Sequence, residues 1–428
     1  MQGRKKVVVI GGGPAGLMAA GQASEQGADV ILLEKNHRPA RKLRITGKGR
    51  CNLTNTAPLT EFITNYGKNG RFLRSAFSRF FSTELLEFFD KLGVKTESER
   101  GGRIFPVSNQ AQDVVDSLVT WAKNNGVEIR TNAAVKRIKI GEENALSVIV
   151  SDPERNNPTY ELNADAVILA VGGTSYPSTG STGDGYRIAA ELGHTIIPVR
   201  PALVPLRTAG ETAQKLQGLS LKNIEVLVYI ENQLADRAFG EMLFTHFGIS
   251  GPIILTLSRS IVDALLENKR VSIGIDLKPA LDQEKLDARL RRDLDEYGRR
   301  TFKHILAGLL PRKLIEVCID QVSIPADKPG HQITSEERER LRCWLKDFRL
   351  EITEPMPIST ALVTAGGIHL KEINPKTMES RLIPDVFFAG EILDLDGDTG
   401  GYNLQAAFST GWVAGNAAAA KLLSPPSP

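Results

Sequence analysis

The chain has 428 residues, 41% hydrophobic and 24% charged, with a formal net charge of +3. That length exceeds one ordinary core and points to two or three domains, in a composition ordinary for a globular protein. A net charge so near zero argues against a general nucleic-acid or membrane binder, whose basic charge is spread over the surface.

Three cysteines, Cys51, Cys318 and Cys343, form no CxxC pair and no metal-ligand cluster, so no metal is expected and a reduced, cytoplasmic setting fits. The opening MQGRKKVVVIGGG lacks the apolar core of a signal peptide. No apolar stretch approaches the ~18 residues of a spanning helix. A soluble protein is expected.

In chain order, Lys5–Ile10 is a β-branched run of the kind that forms a buried parallel strand. A glycine-rich turn, Gly11 to Gly16, follows it. Leu17–Gln26 reads as a helix stopped by Gly27, and Asp29–Leu33 as a second strand closing on Glu34. Residues 71–92 read as helix in two pieces parted near Ser82, and Gln110–Asn125 as another helix. Strand-like runs follow at 127–131, 133–140, 145–151 and 158–163, with Asn/Pro turn signals between the last two. Ala166–Val171 is again a buried strand, running into Gly172 and Gly173.

The texture changes after about residue 195. Pro198, Pro201 and Pro205 punctuate extended segments, and 219–232 alternates as a strand does, so a barrel or folded sheet is expected. Residues 282–319 are charged and helical, and Thr334 with Glu337 makes a capping box opening a helix to about Lys346. Residues 349–354 and 358–365 return to strand, with Ser250 before Gly251-Pro252 as a helix N-cap upstream. Near 366 the glycine-rich texture resumes, so the barrel is an insertion into one nucleotide-binding domain. The tail SPPSP is expected to be disordered.

Gly11-x-Gly13-x-x-Gly16 between a strand and a helix, with Glu34 at the end of the second strand, is a dinucleotide-binding pattern. Gly11 allows the tight turn, Gly13 lets the backbone approach a pyrophosphate, and Gly16 permits close packing. The helix N-terminus offers free N–H groups to phosphate. Glu34 suits ribose hydroxyls and repels a 2′-phosphate.

The stretch RKLRITGKGRCNLTN, residues 41–55, lies in a segment with no acid from Lys35 to Thr60. Such a stretch calls for an anion. Its position after the second strand suits the middle and ring of a long dinucleotide, FAD, with Gly47 and Gly49 baring N–H groups and Lys42 or Arg50 meeting phosphate or ring oxygens. At the other end, VFFAGEILDLDGDTGGYNLQAAFSTGWVAG (386–415) is a second strand–turn–helix, whose N–H groups suit the flavin pyrimidine, where charge grows on reduction.

These stretches, with GRIFPVSNQAQDVV (102–115), AVGGTSYPSTGSTGDGYRIA (170–189), LFTHFGISGPIIL (243–255) and TAGGI (364–368), resemble the BaiN/YhiN-like family of FAD-dependent oxidoreductases, which includes aminoacetone-oxidase-related enzymes. The segment TGSTGDGYRIA also resembles fumarate-reductase-type flavoproteins. The resemblance implies a Rossmann-type FAD-binding domain (1–195 and 359–424) interrupted by a β-barrel (196–275 and 320–358) with a helical insert (276–319), leaving 425–428 as tail. It implies FAD contacts at Gly11, Gly13, Pro14, Ala15, Gly16, Glu34 and Lys35. In the basic loop these are Lys42, Thr46, Gly47, Gly49, Arg50, Cys51 and Asn52. Further on they are Val135, Ala170, Gly172 and Gly173, then Gly390, Glu391, Asp398, Gly401, Tyr402, Asn403, Leu404 and Gln405.

The implied activity is reduction of the flavin by NAD(P)H followed by reduction of an activated C=C bond in a small organic molecule. Oxygen-dependent oxidation of an aminoketone is the alternative within the family. From other classes come an FAD-dependent RNA-modifying enzyme and a flavin-binding protein without turnover. With no second GxGxxG, a nicotinamide shares the substrate cleft. Nucleic acid and membrane partners are not expected, and the oligomeric state is not readable. Arg103 reads equally as a binder of carboxylate or carbonyl and as a partner of a surface acid. Tyr176 is a proton donor or a packing tyrosine, and His246 faces substrate or is structural. Cys51 reads as a small buried residue before a redox one.

Overall fold

The computed structural model describes residues 5–151 and 159–423. The tail and the Asn/Pro turn signals at 153–158 lie outside these residues. The chain divides into two compact units, residues 1–200 with 362–428, and 201–361.

In the first unit a five-stranded parallel sheet runs in the order Val386–Phe388, Ala166–Leu169, Lys6–Ile10, Asp29–Leu33, Glu128–Arg130. Val7, Val8 and Val9 are fully buried, as a strand covered on both faces requires. The helices Pro14–Glu25 and Tyr402–Leu423 pack on each other at backbone distance. A Cβ on Gly411 would sit 2.3 Å from Ala15 O, and one on Gly415 2.3 Å from Ala19 O. The first and last motifs of the sequence are thus locked together by two bare helix positions one turn apart. The amphipathic helix Ala111–Asn124 adds Val114, Val115 and Leu118 to the same core. Smaller antiparallel sheets are built from 134–140, 146–151 and 159–164, and from 54–55, 103–106 and 96–99.

The second unit is a closed six-stranded barrel, in the order Leu206–Thr208, Gly248–Ser250, Gln233–Phe244, Ser220–Ile230, Val271–Asp276, Phe348–Pro355. Alternation points Ile224, Val226 and Val228 inward, where they join Ile273, Ile275 and Ile352 in one core. The helix Pro252–Leu266 covers this core with Ile254, Leu257 and Ile261.

Three expectations are corrected. The helical part is longer than 276–319: helices run from Gln283 to Lys346, and of 320–358 only Phe348–Pro355 joins the barrel. The capping box accounts for the last helix, since Thr334 Oγ1 accepts from Glu337 N and Glu337 Oε2 from Thr334 N. Residues 358–360 form a 3-10 helix and not a strand, because Thr360 returns both its N–H and its hydroxyl to Pro357 O at 2.8 Å; the strand starts at Val363. Ser250 is not an N-cap. It pairs with Leu243 as strand, and Gly251 takes the cap at φ +100°, where a Cβ would lie 2.9 Å from Met242 Cα.

Candidate cofactor and active site

The turn after the first strand is shaped by what its glycines exclude. Gly11 sits at φ +102°, its N–H donating to Leu33 O at 2.8 Å, and a Cβ there would lie 2.6 Å from Ala170 O. A Cβ on Gly16 would lie 1.8 Å from Gly11 O. Gly13 is different: nothing lies within 4 Å of its Cβ position, so its bare face opens onto free space at the start of Pro14–Glu25. Pro14 holds the first helical position and no acid occupies the first turn, which leaves the N–H groups unopposed. Glu34 is buried. Its Oε2 accepts from Gly12 N at 2.9 Å and its Oε1 from Asn36 N at 2.8 Å, which fixes the carboxylate beside the turn. Ala133 N donates to Glu34 O, bringing the strand that carries Val135 to the same place.

The basic loop turns on four left-handed residues, Gly47 (φ +57°), Lys48 (+60°), Gly49 (+85°) and Cys51 (+63°). Its charges are answered by acids distant in sequence. Lys42 Nζ lies 2.7 Å from Glu391 Oε2 and 2.6 Å from Ser175 Oγ. Arg50 pairs with Glu99 at 2.7 Å and stacks 4.0 Å over the Phe105 ring. Lys35 pairs with Asp184 at 2.6 Å. The anion that this stretch calls for is therefore in part the protein's own. Lys42 and Arg50, expected at phosphate or ring oxygens, each already hold a carboxylate.

Glu391 is the centre of a network. Burial alone would raise its carboxyl, but Lys42, the Thr364 N–H at 2.8 Å and the Ser175 hydroxyl at 3.1 Å hold it below the usual range. Thr364 Oγ1 in turn accepts from the N–H of Thr174 and of Ser175, tying Gly172-Gly173 to Gly390-Glu391. Sequence reasoning missed Thr364 and Ser175 as members, although TAGGI was among its motifs. Gly390 N donates to Thr410 Oγ1 at 2.9 Å. Asn403 clasps the acidic turn, accepting from Gly397 N at 2.8 Å and donating to Gly397 O at 2.7 Å. The Asp398 N–H donates to Asn65 O at 3.1 Å.

A Cβ on Gly401 would meet Thr54 O at 2.3 Å, and Asn55 Nδ2 donates to Gly400 O at 3.0 Å, so the basic loop and the C-terminal turn abut. Tyr66, also missed, donates its hydroxyl to Tyr402 O at 2.6 Å. Leu404 packs on the core, and the Gln405 side chain points inward to Ser409 Oγ at 2.9 Å.

Of the candidate catalytic residues, Arg103 is exposed and shares Glu99 with Arg50, at 3.4 Å. Tyr176 is half-buried in a left-handed conformation (φ +51°) next to Ser175. His246 belongs to the barrel unit, exposed in the turn 245–247 with its ring edge-on to Phe247.

These residues fit FAD on the structure's own terms: an open glycine face at a helix start, a carboxylate fixed beside it at the end of the second strand, and a buried Asn52 Oδ1 left without a donor. Cys51 fits the role of a small buried residue, because burial pushes its thiol up to about 12 and so keeps it protonated.

A family model described as the HI0933-like protein Rossmann domain matches residues 5–417. The chain is 35% identical over 97% of its length, and 99% of the relative, to the 3-dehydro-bile acid delta(4,6)-reductase of Clostridium scindens. It is 30% identical over 96% of its length, and 97% of the relative, to the ribosomal RNA dihydrouridine synthase of Escherichia coli. Among solved structures, the open conformation of a flavocytochrome c3 fumarate reductase shares the fold, with a TM-score of 0.53 at 18% identity, covering 98% of this chain and 79% of that one. No helix among the described residues is long and apolar enough to cross a membrane.

Proposed function

Since the chain belongs to the HI0933-like Rossmann family of FAD-dependent oxidoreductases, we propose that it reduces a C=C bond conjugated to a carbonyl group, with NAD(P)H as electron donor. The observation that carries this is the full-length similarity to two relatives of different substrate, a bile-acid delta(4,6)-reductase and a dihydrouridine synthase. Both names describe adding two hydrogens across a double bond, in an enone-type ring in one case and a uracil ring in the other. The bond type is what they have in common.

Bound FAD supplies hydride transfer in two-electron steps. In this reading, the open Gly13 face and the N-terminus of Pro14–Glu25 hold the pyrophosphate, and Glu34 holds the ribose. The N-terminus of Tyr402–Leu423 would hold the ring end and favour negative charge there. Lys42, paired with Glu391, positions the basic loop against the C-terminal turn. Each turnover moves a hydride and a proton from NAD(P)H and solvent to the two carbons of the double bond. Tyr176 is the proposed proton donor and Arg103 a proposed carbonyl binder. No observation in the structure favours the aminoketone-oxidase reading.

The test is to incubate the FAD-loaded protein with NADPH or NADH and a cyclic enone or uridine-containing RNA, and to weigh the product. A gain of two hydrogens is expected. Nicotinamide oxidation with an unaltered acceptor and accumulating peroxide would contradict the proposal.

A further inference from the structure

Two buried polar atoms lie in the segment that joins the basic loop to the C-terminal turn, and neither has a partner among the described residues: Asn52 Oδ1 and Thr54 Oγ1. Thr54 is fully buried. A buried acceptor or hydroxyl left unpaired is costly, and native structures rarely keep one without an occupant to satisfy it. The donors nearby in the loop are spent elsewhere. Arg50 is held by Glu99 and Asn109, Lys42 by Glu391 and Ser175, and Asn55 Nδ2 by Gly101 O and Gly400 O.

Each orphan stands beside a glycine that bares its backbone. The Cβ position of Gly47 is 3.1 Å from Asn52 N and 3.8 Å from Asn52 Cβ, and that of Gly401 is 2.8 Å from Thr54 Cα. Both glycines have positive φ, +57° and +101°, so neither position takes a side chain without strain. Backbone contact therefore seats Asn52 against the basic loop and Thr54 against the start of Tyr402–Leu423, the two elements assigned above to the flavin ring.

We propose that Asn52 and Thr54 read the pyrimidine edge of the flavin, with Asn52 Oδ1 accepting from the ring N3–H and the Thr54 hydroxyl donating to a neighbouring ring carbonyl; this rests on the reading that FAD places its ring end at the N-terminus of Tyr402–Leu423. An oxidised flavin ring has a single N–H, at N3, flanked by two carbonyls. One orphaned acceptor and one orphaned hydroxyl two residues apart match that edge. The two contacts have different consequences. N3–H is present in both oxidation states, so Asn52 sets affinity. The carbonyl oxygens gain negative charge when the ring is reduced, so Thr54 favours the reduced state and raises the potential.

The experiment uses the full chain, stripped of flavin and reloaded with FAD or with N3-methyl-FAD, which carries no N–H at that position. Affinity is read by quenching of flavin fluorescence, and the midpoint potential by anaerobic equilibration with redox dyes. Wild type should bind N3-methyl-FAD about tenfold more weakly than FAD. Asn52→Leu, similar in size but without an acceptor, should bind the two within about twofold, whereas Asn52→Asp, which keeps the acceptor, should retain the preference for FAD. Thr54→Val should also retain it, and should lower the potential by about 30 mV, the equivalent of about a tenfold loss of affinity for the reduced flavin alone. Apo Thr54→Val should melt no lower than wild type, because the hydroxyl has no partner to lose.

Equal affinity of wild type for FAD and N3-methyl-FAD would overturn the proposal, since a bound water then satisfies Asn52. So would a preference that survives in Asn52→Leu, where the methyl group meets bulk and no hydrogen bond is lost. An unchanged potential in Thr54→Val removes the carbonyl contact. The placement of the ring is scored separately, by the visible flavin bands: a spectrum unchanged in all three variants puts the ring end away from this segment. Turnover of a small cyclic enone by wild type scores the reaction independently of these outcomes.

Discussion

Lys42 Nζ and Glu391 Oε2 meet at 2.7 Å across 349 positions of sequence, with their side chains only 23% and 20% exposed. This pair joins the basic loop to the C-terminal turn, and removing one partner strands the other charge in a largely buried place. Lys42→Met is expected to cost about 3 kcal/mol in urea denaturation and to weaken FAD retention. Glu391→Gln should lose a comparable amount, because its amide oxygen can keep the Thr364 and Ser175 donors only by turning its NH2, a donor, toward Lys42 Nζ. The Glu391 carboxyl is held below its ordinary range in the fold. Its contribution is thus full above the ordinary carboxylate pKa of about 4.3 and fades as pH falls toward the lowered folded value. Stability curves between pH 7 and pH 3 should converge for wild type and Glu391→Gln at the acid end.

Gly13 and Gly16 separate cofactor binding from folding. At Gly16 a Cβ has 1.8 Å to Gly11 O, so Gly16→Ala should destabilise the apo-protein by about 3 kcal/mol and abolish flavin binding. At Gly13 a Cβ meets nothing, so Gly13→Ala should fold with an unchanged apo melting temperature and still lose FAD affinity by tenfold or more. Equal effects of the two on the apo melting temperature would contradict this assignment.

The thiols give a third check. Cys343 is exposed, while Cys51 and Cys318 are buried, with thiols pushed up to about 12 by burial. One of the three should react with a disulfide reagent in the folded protein at neutral pH, and all three after unfolding. Cys51→Ala should keep most of its turnover.

His194 has a fully buried side chain, with Nδ1 3.0 Å from Glu372 and Nε2 2.9 Å from Ser380 Oγ. Burial lowers its pKa despite Glu372, so the fold holds the neutral ring. The unfolded chain binds the proton more readily, so this contribution is present above about pH 6.5 and is lost as pH falls through the lowered value. Wild type should therefore lose more melting temperature between pH 7 and 5 than His194→Gln, which starts lower. Glu372 titrates below this window, its carboxyl lowered by Thr195 and His194 against its burial.

Features written in short stretches of chain were legible. The strand Asp29–Leu33, the capping box of Thr334 and Glu337 and the helix from Tyr402 each depend on a few neighbouring residues whose local preferences agree. The partners of the basic loop were not legible. Glu99, Asp184 and Glu391 lie far along the chain, and only the sheet topology brings them to Arg50, Lys35 and Lys42. The cap at Gly251 was misplaced because a serine is the better cap by preference, whereas the close approach of Met242 admits only glycine.

The most direct test of the central claim is a two-step anaerobic experiment on the visible flavin bands. NADPH or NADH is added until the bands bleach, and a conjugated C=C acceptor, a cyclic enone or a uridine-containing RNA, is then added without oxygen. The account predicts that the bands return with the acceptor, in step with formation of a product heavier by two hydrogens. Bands that stay bleached with every such acceptor and return only when oxygen is admitted would contradict it and point to an oxidase.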